Sequence, residues 1–384
     1  MSENKKILRI WPFWPQGLKY HDQYLAEAMI DDGVETLFAC PTYIDKSYIS
    51  YTNNTLNSNE NNPYSVFPLR YFSILGKPIP FNIFSFIKKI KDFNPDIVHI
   101  FGLSNFTTYF SLICLKIGGY DGKIYFNDHS DPSEKKKGFI ANFYYLFFRL
   151  LYFFVIRNKY PIVVPDNGSK NELISRYGKS IQSVLKFIPL GFDEKTFNLS
   201  VVNRSSDIPL VVGFAGKISP AKRIEILLEA IQDISENELE VHICGFAEQK
   251  NEYQESLMQK IRSSKFKNIK VHDFLKKTSE LATFYGKMDL AVFPGSISIT
   301  TFEANGTGCP IILFESLPGL QHRVSNGRGH LFLETNRLHN LIKKYIELKK
   351  EIINHDEIHL SSKEFSWTNI KLKYYKLYQW DIKV

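Results

Sequence analysis

Short apolar runs alternate with amphipathic stretches of helix length along nearly the whole chain, and this alternation limits its fold more than any other feature. Strands buried on both faces read as continuous apolar runs, and a parallel sheet needs a helix to carry the chain back between them. In the first half, strands are expected near Lys6–Trp11, Glu35–Ala39, Ile97–Phe101, Lys123–Asn127, Ile162–Val164 and Val184–Ile188. Helices are expected over Lys19–Asp31, Asn82–Asp92, Asn105–Lys116, Gly138–Arg157 and Lys170–Tyr177. The second half repeats the layout, with strands at Pro209–Gly213, Glu240–Cys244, Ile269–His272, Leu290–Phe293 and Ile311–Phe314. Its helices are expected at Arg223–Asp233, Lys250–Ser264, Ser279–Tyr285 and Arg337–Lys349. The polar stretch Asp193–Asp207 reads as a linker between two α/β units, and the Asn-rich Thr52–Asn62 as an exposed loop.

With 384 residues, 44% of them apolar, the chain has material for two cores. Its four cysteines are scattered, with no Cys-x-x-Cys pair, which favours a reducing compartment and argues against structural zinc. The polar opening Met-Ser-Glu-Asn-Lys-Lys runs straight into a strand and does not resemble a secretion signal, so the expected location is the cytoplasm. A net charge of +8 favours anionic partners: nucleotide-sugar phosphates, anionic lipid or nucleic acid. No nucleic-acid-binding motif is present, and nucleic acid ranks last.

Gly138–Arg157 needs separate treatment. It is apolar and aromatic, but Asn142 and Arg149 interrupt it and it sits between two strands of one expected sheet. A membrane-spanning helix would split that sheet. Two readings stand: a buried crossover helix, or a helix lying on an anionic membrane with Lys135–Lys137 and Arg157 at its ends, peripheral on the inner face of the cell membrane.

Four places carry candidate chemistry. The sharpest is Phe293–Pro310, where a buried strand meets a turn of small residues, a short helix carrying Glu303 about two turns in, and a Gly-Cys-Pro exit. Backbone N–H groups at such a turn face an anion, and Glu303 is placed to reach hydroxyls on the anion's carrier. Gly213-Phe-Ala-Gly216-Lys217…Lys222-Arg223 follows another strand and sets two lysines at a helix start, where cations are unfavourable unless an anion binds. Gly17 follows the first strand, where a glycine lets backbone approach a phosphate or simply makes the turn. His129 follows a strand end. It either faces substrate there or is a surface residue beside a capping Asp128 or Asp131.

In order and spacing, these residues resemble the retaining glycosyltransferases of the GT-B fold, specifically glycosyltransferase family 4. The resemblance runs through Gly17, Pro95-Asp-Ile-Val-His-Ile100, His129 and Ile188-Pro-Leu-Gly191-Phe-Asp193. It continues through Gly216-Lys217…Lys222, Glu303-Ala…Gly308-Cys-Pro310 and the tail Phe365-Ser-Trp367…Tyr374-Tyr375…Tyr378. It implies an α/β protein of two Rossmann-like domains facing across a cleft, with a C-terminal helix crossing back to the first domain. The implied domains are residues 1–195 for the acceptor, 196–365 for the nucleotide sugar, and 366–384 for the closing helix.

On that resemblance Lys217 and Lys222 meet the donor diphosphate, Glu303 the ribose hydroxyls, and His129 the donor sugar. Gly216, with backbone around Ser298, Ile299 and Thr300, lines the phosphates, and Gly17 approaches from the other domain. No metal and no cofactor are implied, the nucleotide sugar being a substrate. The family carries a second glutamate eight residues before the one matched by Glu303; here that position is Gly295, and Arg223 replaces a usual glycine. The implied activity is retaining transfer from a UDP- or GDP-sugar to a glycan or lipid-linked acceptor in cell-surface polysaccharide synthesis, of the lipopolysaccharide or capsule kind. Two alternatives stand beside it: a nucleotide-sugar-binding partner protein with impaired catalysis, or a nucleotide-sugar epimerase.

Overall fold

The structure is a computed structural model that describes residues 5–14, 20–42, 63–74, 76–130, 139–202, 209–296, 298–315, 319–349 and 353–381. The chain forms two compact units. Met1–Pro189 and Ile370–Val384 make the first, and Leu190–Asn369 the second.

In the first unit the strands are β1 (Lys6–Ile10), β2 (Glu35–Pro41), β3 (Ser65–Leu69), β4 (Tyr71–Ile74), β5 (Lys77–Pro80), β6 (Ile97–Phe101), β7 (Lys123–Asn127), β8 (Ile162–Val164) and β9 (Leu185–Phe187). Seven form a parallel sheet in the order β3-β2-β1-β6-β7-β8-β9, while β4 and β5 pair as a separate antiparallel hairpin. The helices are α1 (His21–Ile30), α2 (Ile83–Phe93), α3 (Phe106–Ile117), α4 (Phe139–Leu151), α5 (Phe153–Arg157) and α6 (Asn167–Tyr177). The expected helix over Gly138–Arg157 is thus two helices broken at Tyr152, with Gly138 and the lysines before it outside the described residues.

Alternation along the central strands divides this sheet chemically. Leu8, Ile10, Val98, Ile100 and Phe126 point into one apolar core. Arg9, His99 and Asn127, all buried, lie on the other face. Arg9 sits 3.1 Å from Asp22 of α1, and the Trp11 indole and Asn127 amide also donate to that carboxylate, at 2.7 and 3.1 Å. Burial alone would raise the Asp22 carboxyl, but His21 and Arg9 beside it hold it well below the usual range. Onto the same face packs the C-terminal helix, Trp367–Tyr378. Tyr374 bonds Asn127 at 3.1 Å, Tyr378 bonds His99 at 2.6 Å, and Lys371 and Tyr375 both reach Asp32 at 2.8 Å. Burial, then the charge of Arg9, lowers the His99 imidazole to about 3, so it is neutral at physiological pH.

The second unit holds β10 (Leu210–Ala215), β11 (Leu239–Phe246), β12 (Ile269–Asp273), β13 (Leu290–Phe293), β14 (Ile311–Phe314) and β15 (Gly329–Phe332). They form one parallel sheet in the order β12-β11-β10-β13-β14-β15. Its helices are α7 (Ile224–Ala230), α8 (Glu252–Ser263), α9 (Thr278–Gly286), α10 (Thr300–Gly306), α11 (Gln321–Val324), α12 (Thr335–Lys349) and α13 (His355–Ser362). The expected linker differs from the structure. Phe192 and Phe197 are fully buried in the core of this unit, and the Phe197 amide donates to the Asp193 carbonyl at 2.8 Å. Two aromatic anchors hold the start of that polar stretch on the unit, while residues 203–208 fall outside the description.

Candidate functional site

In an open parallel sheet, ligands bind beyond the carboxyl ends of the strands where the strand order reverses direction. In the second unit that point lies between β10 and β13, because the chain proceeds to β11 and β12 on one side and to β14 and β15 on the other. The residues singled out by sequence in this unit collect there.

Beyond β10 the chain turns through Gly216 and the half-buried Lys217. The Gly216 amide donates to the Cys244 carbonyl at 3.1 Å and the Ile218 amide to the Gly245 carbonyl at 3.3 Å, which pins the turn to β11. A single turn of 3₁₀ helix at Pro220–Lys222 follows, capped by Arg223 in the left-handed region at φ 50°. A glycine would suit that conformation. Arg223 takes it with its guanidinium 4.4 Å over the Phe314 ring. Lys222 extends its ammonium to the Ser296 carbonyl at 2.7 Å, which ties this turn to the end of β13.

Helix α10 starts at Thr300, so Glu303 lies in its first turn rather than two turns in. The Ser298 and Thr300 hydroxyls meet at 2.6 Å, and Ile299 is the residue before the helix, its carbonyl accepting from the Phe302 amide at 2.9 Å. Arg323 of α11, which is buried, donates to the Ser298 carbonyl at 3.2 Å and to the Thr301 hydroxyl at 2.6 Å. A cation therefore stands behind the loop that opens α10. The Tyr285 hydroxyl lies 3.4 Å from the Ala215 carbonyl, and its phenol is raised well above the usual range by burial and then by the charge of Glu303. It thus joins the end of β10 to the region of Glu303.

Glu303 is the informative group. It is 5% exposed, and its Oε2 is buried with no hydrogen-bond partner among the described residues. Burial, then the charge of Asp193, pushes its carboxyl up to about 8. An unsatisfied buried acceptor costs about 1–3 kcal/mol and native proteins keep few of them. Such a group suits a ligand that brings hydroxyl donors. Lys217 and Lys222 on the adjacent turn suit the same ligand carrying negative charge.

In the first unit His129 is half-buried after β7, its ring 4.1 Å from that of His21 and 5.2 Å from that of Phe101. Asp128 accepts from the Leu103 and Ser130 amides at 2.9 and 3.0 Å. It holds that loop and does not cap a helix, since α4 starts only at Phe139. Asp131 and Gly17 lie outside the described residues. Sequence reasoning missed His21, Asp193, Tyr285 and Arg323. Asp193 closes the stretch Ile188–Asp193 that carries the resemblance but has no role assigned there, and Tyr285 and Arg323 reach their places from elements that carry no motif.

Two family models match this chain: Glycosyltransferase Family 4 over residues 15–196 and Glycosyl transferases group 1 over residues 209–351. Together they span most of its length, and the chain belongs to this family of glycosyltransferases. Solved structures agree on the fold. Sucrose-phosphate synthase from Thermosynechococcus elongatus is 16% identical with a TM-score of 0.72, covering 98% of each chain. Anabaena HepE in complex with UDP and glucose is 18% identical with a TM-score of 0.70, covering 98% of this chain and 100% of that one. The lipopolysaccharide outer core galactosyltransferase WaaB is 15% identical with a TM-score of 0.67, covering 97% and 99%. A search of curated protein sequences returns no significant match. The two parallel-sheet halves are the Rossmann-like halves of a GT-B glycosyltransferase.

Proposed function

We propose that the protein is a retaining, metal-independent glycosyltransferase that moves a sugar from a UDP- or GDP-sugar to a glycan or lipid-linked acceptor of a surface polysaccharide. The observation that carries this reading is the buried Oε2 of Glu303, which has no hydrogen-bond partner among the described residues, at the β10/β13 switch point beside a turn bearing Lys217 and Lys222. A ribose supplies the hydroxyls that the carboxyl lacks, and a diphosphate supplies the charge for the lysines. The UDP held by HepE and the acceptor class named for WaaB support the same assignment.

In the proposed reaction the bond from the anomeric carbon to the diphosphate breaks while the acceptor hydroxyl attacks the same face. Its proton passes to the departing phosphate oxygen, and His129 contacts the transferred sugar. Gly216 and the backbone of Ser298, Ile299 and Thr300 line the phosphates. Lys217 and Lys222 accelerate the step because their attraction grows as charge develops on the leaving group. A thermal-shift screen against UDP- and GDP-sugars tests the donor, since specific binding raises apparent stability by mass action. The anomeric configuration of the product by NMR then tests retention. Stabilisation by none of these donors, or an inverted product, overturns the assignment.

We also propose that α4 and α5 meet an anionic membrane. Phe143, Leu146, Phe147, Phe153 and Phe154 recur at helical spacing and are exposed, Phe153 at 70%. The only charged residues of these helices are Arg149 and Arg157, both basic and exposed. Lys135–Lys137 lie outside the described residues. Among the described residues no helix is long and apolar enough to cross a membrane. Flotation should therefore depend on anionic lipid and fall in a Phe143→Ser/Phe153→Ser variant. Equal flotation with neutral vesicles refutes the assignment.

A further inference from the structure

Gly295 sits just beyond β13, and its φ lies outside the left-handed region, so the backbone there does not call for glycine. Space does. A Cβ on Gly295 would lie 2.3 Å from the Ala221 carbonyl oxygen, 2.5 Å from the Lys222 carbonyl carbon and 2.6 Å from the Lys222 carbonyl oxygen. All three are backbone atoms, and no side-chain rotation relieves the overlap. The bare glycine is therefore the surface on which the turn Ser219–Lys222 rests.

Hydrogen bonds run both ways across that contact. The Ser296 amide donates to the Ala221 carbonyl at 2.7 Å, and the Lys222 ammonium donates to the Ser296 carbonyl at 2.7 Å. On the far side of the turn the Arg223 guanidinium lies over Phe314 of the neighbouring strand β14. The turn is held from both sides. We infer that Gly295 is a positioning residue: having no side chain, it lets the basic turn close on the end of β13, where the Ser296 carbonyl fixes the direction of the Lys222 ammonium. Its consequence for sugar transfer rests on the proposed function; the positioning itself does not.

Gly295→Ala and Lys222→Ala, singly and together in the full chain, test this. In folded Gly295→Ala, acylation of the Lys222 amine, read by mass spectrometry against other surface lysines, should rise several-fold, and the Ser296 amide should exchange faster with solvent. With donor and acceptor in hand, kcat should fall roughly 10- to 100-fold, the scale of a misplaced catalytic contact. Adding Gly295→Ala to Lys222→Ala should then change kcat little, because the glycine acts through that lysine. Unchanged Lys222 labelling in the folded variant, or kcat losses that multiply in the double variant, overturns the inference. If Gly295→Ala does not fold, Pro220→Gly loosens the same turn from its other end and should raise Lys222 labelling; no rise refutes the positioning role. Failure of UDP and GDP to bind the unaltered protein would sink the proposed function and leave the labelling and exchange results to decide this point.

Discussion

Replacing Glu303 by glutamine probes the site through a charge that the free protein holds poorly. In the folded chain this carboxyl titrates near 8, against 4.5 for an ordinary glutamate, because it is buried and faces Asp193. Between these two values the folded state holds a proton that the unfolded chain has lost. The contribution of this group to stability is therefore full below about pH 4.5, falls as pH rises, and levels off above about pH 8. The gap corresponds to roughly 5 kcal/mol as an upper bound, since local relaxation and water entry reduce it. For a unit of this size each kcal/mol moves Tm by about 2–4 °C, so a shift on the order of 10 °C is at stake.

Glutamine keeps the shape and removes the ionisation. The Tm of Glu303→Gln minus that of the unaltered protein should be near zero at acid pH and grow steadily positive toward pH 9. Nucleotide binding should move the other way. A ribose that donates to the carboxylate favours its ionised form, so UDP or GDP binding near neutral pH should release a proton, measurable by calorimetry in buffers of different ionisation enthalpy. Loss of a hydrogen bond to a charged group costs about 1.5–3 kcal/mol, so the variant should bind roughly 10- to 100-fold more weakly and release no proton. A Tm difference that does not change with pH refutes the buried protonated carboxyl. Unchanged nucleotide affinity refutes the ribose contact, whatever the thermal data give.

Three further outcomes follow from the same structure. Lys217→Ala should lower kcat by roughly 100-fold while donor affinity falls less, because its attraction peaks as the diphosphate leaves; weaker donor binding at unchanged kcat contradicts that role. Asp22→Ala strands the buried Arg9 guanidinium and should destabilise the first unit by about 3–5 kcal/mol in urea titrations, and a loss under 1 kcal/mol would show the pair to be incidental. Prolonged EDTA treatment should leave sugar transfer intact if lysines neutralise the leaving group, and activity restored only by added divalent ion would refute metal independence.

What the sequence disclosed and what it hid follow one physical division. Runs such as Ile97–Phe101 and Leu290–Phe293, apolar because both faces of a central strand are buried, were legible to the residue. Of the four edge strands of the two main sheets, β9 and β12 were expected and β3 and β15 were not. In β3 Pro68 is tolerated because an edge strand needs fewer of its donors, and β15 is the short, half-buried run Gly-His-Leu-Phe, so neither shows the pattern of a central strand. Phe197 gave no warning either: an aromatic in a polar stretch looks like linker until a core is present to receive it.

The site divides the same way. Lys217, Lys222 and Glu303 were visible as candidates because basic and carboxylate side chains follow strand ends there at short distances in sequence. Arg323 and Tyr285 act from elements distant in sequence and carry no local mark. Gly295 was legible only as a carboxylate the family pattern leads one to expect, a statement about what is absent. The overlap of its missing Cβ with the Ala221 and Lys222 backbone turns that absence into a contact. A glutamate installed there would not simply add a hydrogen-bonding group. It would have to push back the turn that carries Lys222, so placing a carboxylate there and keeping the lysine in place are competing demands on the same few ångströms of space.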